Sequence, residues 1–333
     1  MTVPLLSIEG LTIDFETGVR MSRALHGFEL SIERGEAVGV VGESGSGKSI
    51  TWLAALGLLG GKAAVGGRVR LEGKDILGLD ERSLASVRGK RIAMIFQDPT
   101  SSLNPVHRVG QQIAESLIRH RGLSGYGARV EARRLLERVQ IANPAQRLDE
   151  YPHELSGGMN QRVMIAMALA GEPDLLIADE PTTALDVTIQ AQILELLKEV
   201  RRETGMGLVI ISHDLGVVAE LADRVAVMYA GRAVETAPME HLFDHPAHPY
   251  TQGLLAALPD IEGPRGRLKA IPGQVPEPAT LPPGCAFAPR CAVALAACTG
   301  SVPSMRRVAA RHEAACLLTG SGADGPLPVE TAA

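Results

Sequence analysis

Residues 42–49 read GESGSGKS, directly after the apolar run AVGVV and directly before ITWLAALGLL. No other stretch restricts the fold as much. The spacing G-x-x-x-x-G-K-S calls for a strand that stops abruptly, then a loop whose glycines turn successive backbone N–H groups inward, then a helix N-terminus. Such a concavity suits phosphate oxygens. Gly42, Glu43, Ser44, Gly45, Ser46 and Gly47 would form the cradle. Lys48 would neutralise the β- and γ-phosphates of a nucleoside triphosphate, and Ser49 would ligate Mg²⁺. The strand–loop–helix unit also predicts an α/β core.

The remaining core strands follow the same grammar. DLLIADEP and GLVIISHD are nearly all apolar and closed by acidic residues, as central strands of a parallel sheet are when both faces are covered. TIQAQILELLKEVRRET between them reads as an amphipathic crossover helix. Ligands of a doubly wound sheet gather at the C-terminal ends of its strands. Asp179 at such an end suits Mg²⁺, a hard cation held by few protein oxygens, and Glu180 is placed to take a proton from an attacking water. His213 ends another strand and would reach the γ-phosphate. Gln97, after RIAMIF, would contact Mg²⁺ or the water.

A second anion-binding pattern lies in ELSGGMNQRVMIAMALA, where Ser156, Gly157 and Gly158 open an apolar helix. The net charge of −5 argues against nucleic acid as the main partner. No apolar run approaches the roughly 20 residues that span a bilayer, and MTVPLLSIEG lacks the basic and long apolar regions of a secretory signal. The expected location is therefore cytoplasmic, with any membrane role exercised through a partner.

Composition changes near Pro259. Pro259, Pro264, Pro272, Pro276, Pro278, Pro282 and Pro283 predict an extended linker. Cys285, Cys291, Cys298 and Cys316 follow, separated by five, six and seventeen residues. Four clustered thiols in a reducing compartment suit tetrahedral zinc or an iron–sulfur cluster, and the spacing alone does not choose between them. TGSGADGPLPVETAA reads as a flexible tail.

Taken in order, GESGSGKS, Gln97, LSGGM, LLIADEP, ALD and His213 resemble an ATP-binding-cassette ATPase over roughly residues 5 to 257. DHPAHPYTQGLLAALP, FQDPTSSLNPVHRVGQQI and PPGCAFAPRCAVALAAC resemble the ATPases of oligopeptide, dipeptide and nickel importers. The resemblance implies an α/β P-loop ATPase core with an antiparallel β subdomain and a helical subdomain at about 98–172, together spanning 1–257. A cysteine-bearing extension over 258–333 would follow. It implies that Ser156, Gly157 and Gly158 close over ATP bound to a second ATPase, itself or a homologue, packed head to tail. Asp186 would sit at that contact, and Phe15 would either stack on adenine or pack in the core. Two integral-membrane permease subunits would dock near Asp98 to Gln112 at the inner face of the cell membrane. An extracytoplasmic binding protein would select the cargo. For the cysteines the resemblance implies a [4Fe–4S] cluster, with structural zinc and then free buried thiols as the alternatives. The rival functions are import of nickel or another small solute, and a soluble ATPase acting on nucleic acid. The latter is disfavoured because neither a long coiled-coil insert nor a second cassette is present in this sequence.

Overall fold

A computed structural model describes residues 3–17, 20–183, 185–258 and 270–319. Pro259 and Pro264 of the expected linker, and the tail from residue 320, lie outside the described residues. In chain order the strands are β1 (Leu6–Thr17), β2 (Arg20–Ile32), β3 (Ala37–Val41), β4 (Ala63–Leu71), β5 (Lys74–Asp75) and β6 (Ile92–Ile95). They continue with β7 (Leu175–Asp179), β8 (Gly207–Ser212), β9 (Arg224–Tyr229), β10 (Arg232–Pro238), β11 (Arg306–Ala309) and β12 (His312–Ala314).

Two sheets result. β2-β1-β4-β5 is antiparallel, and the larger sheet runs β11-β12-β10-β9-β3-β8-β7-β6. Its centre, from β9 to β6, is parallel, with Ala37 opposite Leu208 and Leu175 opposite Gly207. Every residue of β3, β7 and β8 is buried, which is why their sequences are apolar throughout rather than alternating. Successive side chains still point to opposite faces. Ala37, Val41, Leu176, Ala178, Leu208 and Ile210 join the core on the helical side, whereas Val38, Val40, Leu175, Ile177, Val209 and Ile211 join the core shared with the antiparallel sheet. The helical side carries Val109–Arg121, Gly125–Arg138 and Gly157–Leu169, with Val187–Thr204 as the crossover between β7 and β8.

The chain beyond the proline-rich stretch does not stand apart from this core. β12 pairs antiparallel with β10, matching Glu235 with Ala314, and so extends the central sheet. His312 and Glu235 meet there at 2.7 Å, 1 % and 0 % exposed, and the Glu235 carboxylate also accepts the backbone N–H groups of Ala247 and His248. A buried carboxylate with three partners fixes the register of this return strand.

Candidate nucleotide site

The GESGSGKS loop leaves β3 and turns into the helix Lys48–Ala55. Gly42 has φ 153°, and a Cβ there would lie 2.2 Å from the Met228 carbonyl oxygen, so the loop can pass under β9 only as glycine. Lys48 is buried, and its Nζ donates to the carbonyl oxygens of Gly42 (2.7 Å) and Glu43 (3.0 Å). Burial pushes its pKa down, against the opposing pull of Glu180, Asp179 and Glu43. Ser46 Oγ is buried without a hydrogen-bond partner and faces Gly42. The loop is thus wound about a space that holds one cation and one unsatisfied hydroxyl.

The strand ends bring the chemistry alongside. Asp179 closes β7, and burial raises its pKa despite a hydrogen bond from Ser49 and the charge of Lys48. Its Oδ1 is buried and without a partner. An oxygen pair of this kind, beside Ser49, fits a hard divalent cation. Glu180 follows with φ 47°, a left-handed conformation uncommon for a side chain with a Cβ. Its N–H is held by the Ile211 carbonyl at 2.9 Å. That kink presents the carboxylate to three donors. Oε2 accepts from Gln97 Nε2 at 2.8 Å and from Thr183 Oγ1 at 2.8 Å, and Oε1 lies 3.1 Å from His213 Nδ1. Burial pushes the Glu180 pKa up, but the Thr183 and His213 hydrogen bonds and the charges of His213 and Lys48 outweigh it and leave the group below its ordinary value. Gln97, Glu180 and His213 therefore form one cluster. Thr183 was invisible to sequence reasoning, because a threonine in PTTALD has no pattern of its own.

The second glycine motif is built differently. Ser156 caps the helix Gly157–Leu169, its Oγ accepting the Met159 N–H at 3.3 Å. Ser156 and Gly157 are exposed, and a Cβ on Gly157 would meet nothing within 4 Å. Gly158 lies under Ile189, where a Cβ would come to 2.9 Å. Asp186 caps the neighbouring helix Val187–Thr204 by accepting the Ile189 N–H at 3.0 Å, and it too is exposed. Phe15 sits in β1 opposite Ser22 and Ala63, half-buried against the core of the antiparallel sheet.

The helix Pro249–Ala256 and the extension after it both reach the phosphate loop. The Glu43 N–H donates to Tyr250 Oη at 2.9 Å, and the Glu43 carboxylate receives Arg290 at 2.9 Å and 3.1 Å. Tyr229, Tyr250 and Phe287 pack with ring centroids 4.7 to 5.3 Å apart, and His248 lies 5.8 Å from Phe287.

The four cysteines line one cavity of about 10 Å³ together with His248, Phe287 and Pro303. All four are unpaired as disulfides. Burial pushes the thiols of Cys285, Cys291 and Cys316 up, toward the protonated form. Among the described residues no three His, Cys, Asp or Glu side chains are placed to hold one metal ion. The expectation of a [4Fe–4S] cluster, or of zinc, finds no support among the described residues: the four cysteines line one small cavity, but no three such side chains are placed for a metal ion.

Known proteins share this sequence and fold. The ABC transporter family matches residues 25–183, and the family described as oligopeptide/dipeptide transporter, C-terminal region, matches residues 234–298. A protein of Brucella abortus (strain 2308), named a peptide import ATP-binding protein, is 52 % identical over 305 residues, 91 % of this chain and 92 % of its own. A second, similarly named protein from the same strain is 49 % identical over 327 residues, 94 % and 97 % of the two chains. Among solved structures, a dimeric ATP-binding cassette in a post-hydrolysis state with ADP and Pi superposes with a TM-score of 0.64 at 30 % identity, covering 70 % of this chain and 98 % of that one. A Clostridium perfringens protein that is part of an ABC transporter complex gives 0.62 at 30 % identity, covering 73 % and 91 %.

Proposed function

Because the chain belongs to the ABC transporter ATPases and carries the C-terminal region of oligopeptide/dipeptide transporters, we propose that it is the ATP-hydrolysing subunit of a peptide importer, acting from the inner face of the cell membrane. The observation that carries the hydrolytic part is the Glu180 carboxylate, held by Gln97, Thr183 and His213 at the end of the strand beside Asp179.

Lys48 would exchange the two loop carbonyls it now contacts for phosphate oxygens of ATP, a trade that keeps a buried ammonium satisfied. Asp179 and Ser49 would hold Mg²⁺, and Gln97 would complete that shell when it leaves Glu180. Mg²⁺, when bound, supplies charge neutralisation on the β- and γ-oxygens. Glu180 takes the proton of the attacking water, and its lowered pKa keeps it in the carboxylate form that a base requires. His213 orients that carboxylate and reaches the γ-phosphate. Most of the acceleration is positioning and fixed charge rather than covalent chemistry.

Ser156, Gly157 and Gly158 close over ATP on a second ATPase, in a head-to-tail pair with Asp186 at the contact. The exposure of Ser156, Gly157 and Asp186 supports this reading. The permease subunits dock along Asp98 to Gln112, where Gln112 braces the loop by accepting the Asn104 N–H and donating to the Asn104 and His107 carbonyls. Phe96 and Val106 stand exposed beside it, 41 % and 75 %. Closure of the pair on ATP then shifts the permease between states.

Two measurements test the proposal. Glu180→Gln should retain ATP binding and lose hydrolysis by about 10² or more; undiminished turnover removes Glu180 as the base. The protein should co-purify with integral-membrane subunits, whereas recovery only as a DNA-stimulated soluble ATPase would overturn the import role.

A further inference from the structure

We propose that Arg290, contributed by the cysteine-bearing extension, is a positioning residue of the nucleotide site: it holds Glu43 in place and neutralises it, so that ATP meets no uncompensated negative charge at the mouth of the loop. This rests on the reading of Gly42–Ser49 as the ATP site.

Glu43 is the second residue of the loop, and each of its polar groups is committed. Its N–H donates to Tyr250 Oη at 2.9 Å, its carbonyl accepts Lys48 Nζ at 3.0 Å, and its carboxylate receives Arg290 at 2.9 Å and 3.1 Å. The guanidinium has little freedom of its own. Nε donates to the Pro272 carbonyl at 2.8 Å, and Arg290 Cζ lies 5.8 Å from the Tyr229 ring centroid and 6.0 Å from that of Phe287. The Arg290 side chain is 6 % exposed. Salt bridges on open surfaces are screened and contribute little. Here the guanidinium lies against two aromatic rings and is 6 % exposed while the Glu43 carboxylate is 31 % exposed, so the pair is screened less than one on open surface.

The consequence is electrostatic. A carboxylate in the phosphate loop opposes the charge of the ligand the loop binds. Lys48 cannot offset it alone, because the same ammonium must serve the phosphates. Arg290 removes the conflict without touching ATP. It does so from 247 residues away in sequence, making nucleotide affinity depend on the seating of the extension. Tyr250 works beside it on the backbone of the same residue.

The test uses the full chain and titrates ATP with Mg²⁺ by calorimetry, alongside steady-state hydrolysis. Arg290→Ala should weaken ATP binding about tenfold and raise KM more than it lowers kcat, since one unit charge is left uncompensated near the phosphates. Arg290→Lys, which keeps the charge but not the planar fork, should stay within about threefold of wild type. The double variant Glu43→Gln with Arg290→Ala should recover most of the lost affinity although it has no ion pair, because the repulsion has gone. Wild-type affinity in Arg290→Ala, or a double variant as weak as the single, overturns the proposal. Should Arg290→Ala fail to fold, Arg290→Gln is compared with Arg290→Lys, and equal affinities overturn it in the same way. Lys48→Ala is the control on the site itself: unimpaired ATP binding there sinks the site reading, not the role of Arg290.

Discussion

The molecule carries two glycine-rich helix N-termini suited to anions, and they are finished to different degrees. Around Gly42–Ser49 the protein supplies most of the walls and leaves Ser44 and Gly45 exposed. β9 passes over Gly42, Lys48 fills the centre, and Glu43 is held by Tyr250 and, from the extension, by Arg290. Around Ser156–Gly158 it supplies a capped helix and an exposed glycine with open space above it. Local sequence does not account for the contrast, since both motifs offer glycines and backbone N–H groups to the same kind of ligand. The difference is in what packs on top. In the proposed head-to-tail pair, each bare end would cover the side of a neighbour's loop that Ser44 and Gly45 leave open.

The largest effect should come from charging the bare end. Gly157→Asp adds a carboxylate where a Cβ meets nothing within 4 Å, so the fold has no reason to change. In a paired site it would face the γ-phosphate of the neighbour's ATP. Hydrolysis should fall about 10²-fold or more, the scale of losing an oxyanion-type donor. ATP affinity of the isolated chain should stay within about twofold, since its own loop is intact. If binding and turnover fall together, the two ends are not separate in function and the comparison breaks.

Acid should act on the finished end alone. His248 is 2 % exposed, and its Nδ1 accepts the Tyr250 N–H at 3.0 Å at the start of the helix that bolts Glu43. Burial pushes its pKa down to about 4, against the pull of the Glu235 carboxylate. An unfolded histidine titrates near 6.5, so below that pH the unfolded chain binds a proton the folded one refuses. The stabilisation is whole above about pH 6.5 and is lost as pH falls toward 4, by about 3 kcal/mol in all. Hydrogen exchange over residues 42–49 and 249–256 should therefore accelerate across that window, while residues 156–160 change less. His248→Gln should flatten the response. Equal acceleration at both ends would show that acid loosens the whole protein rather than the bolt.

How much of this was legible in the sequence depends on distance along the chain. The phosphate loop, the buried parallel strands and the acidic strand ends follow from local pattern, because strand burial and loop geometry are written into consecutive residues. The edge rule for a doubly wound sheet sets His213 beside Glu180 and Gln97 at the end of another apolar run, and the parallel register of β6, β7 and β8 closes the three to hydrogen-bond distance. Thr183, Tyr250 and Arg290 had no such signal. Arg290 stands in APRC, which reads as part of a cysteine segment, and nothing local says that it answers Glu43. The return of β12 to β10 was hidden for the same reason, since a short polar strand is recognisable only by the edge it joins. The cysteines show the opposite failure. Their clustering was legible, but spacing does not specify whether thiols meet at metal distance or merely share a cavity.

The smallest effect sharpens the comparison most finely. Ser156 does two things at the bare end: it caps its own helix, accepting the Met159 N–H at 3.3 Å, and in the paired reading it also donates to a neighbour's phosphate. Ser156→Ala removes both. The cap alone is worth about 1 kcal/mol of stability, and the helix Gly157–Leu169 is otherwise secured by its buried face, including Arg162 donating to the Val139 carbonyl at 2.7 Å. Ser156→Asp restores the cap, since a carboxylate accepts the same N–H, but it cannot donate and it repels phosphate. Thermal stability should therefore fall slightly in Ser156→Ala and recover in Ser156→Asp, while hydrolysis should fall in both and further in the aspartate variant. If activity instead tracks stability across the pair, Ser156 serves its own helix only, and the bare end owes nothing to a neighbour at that position.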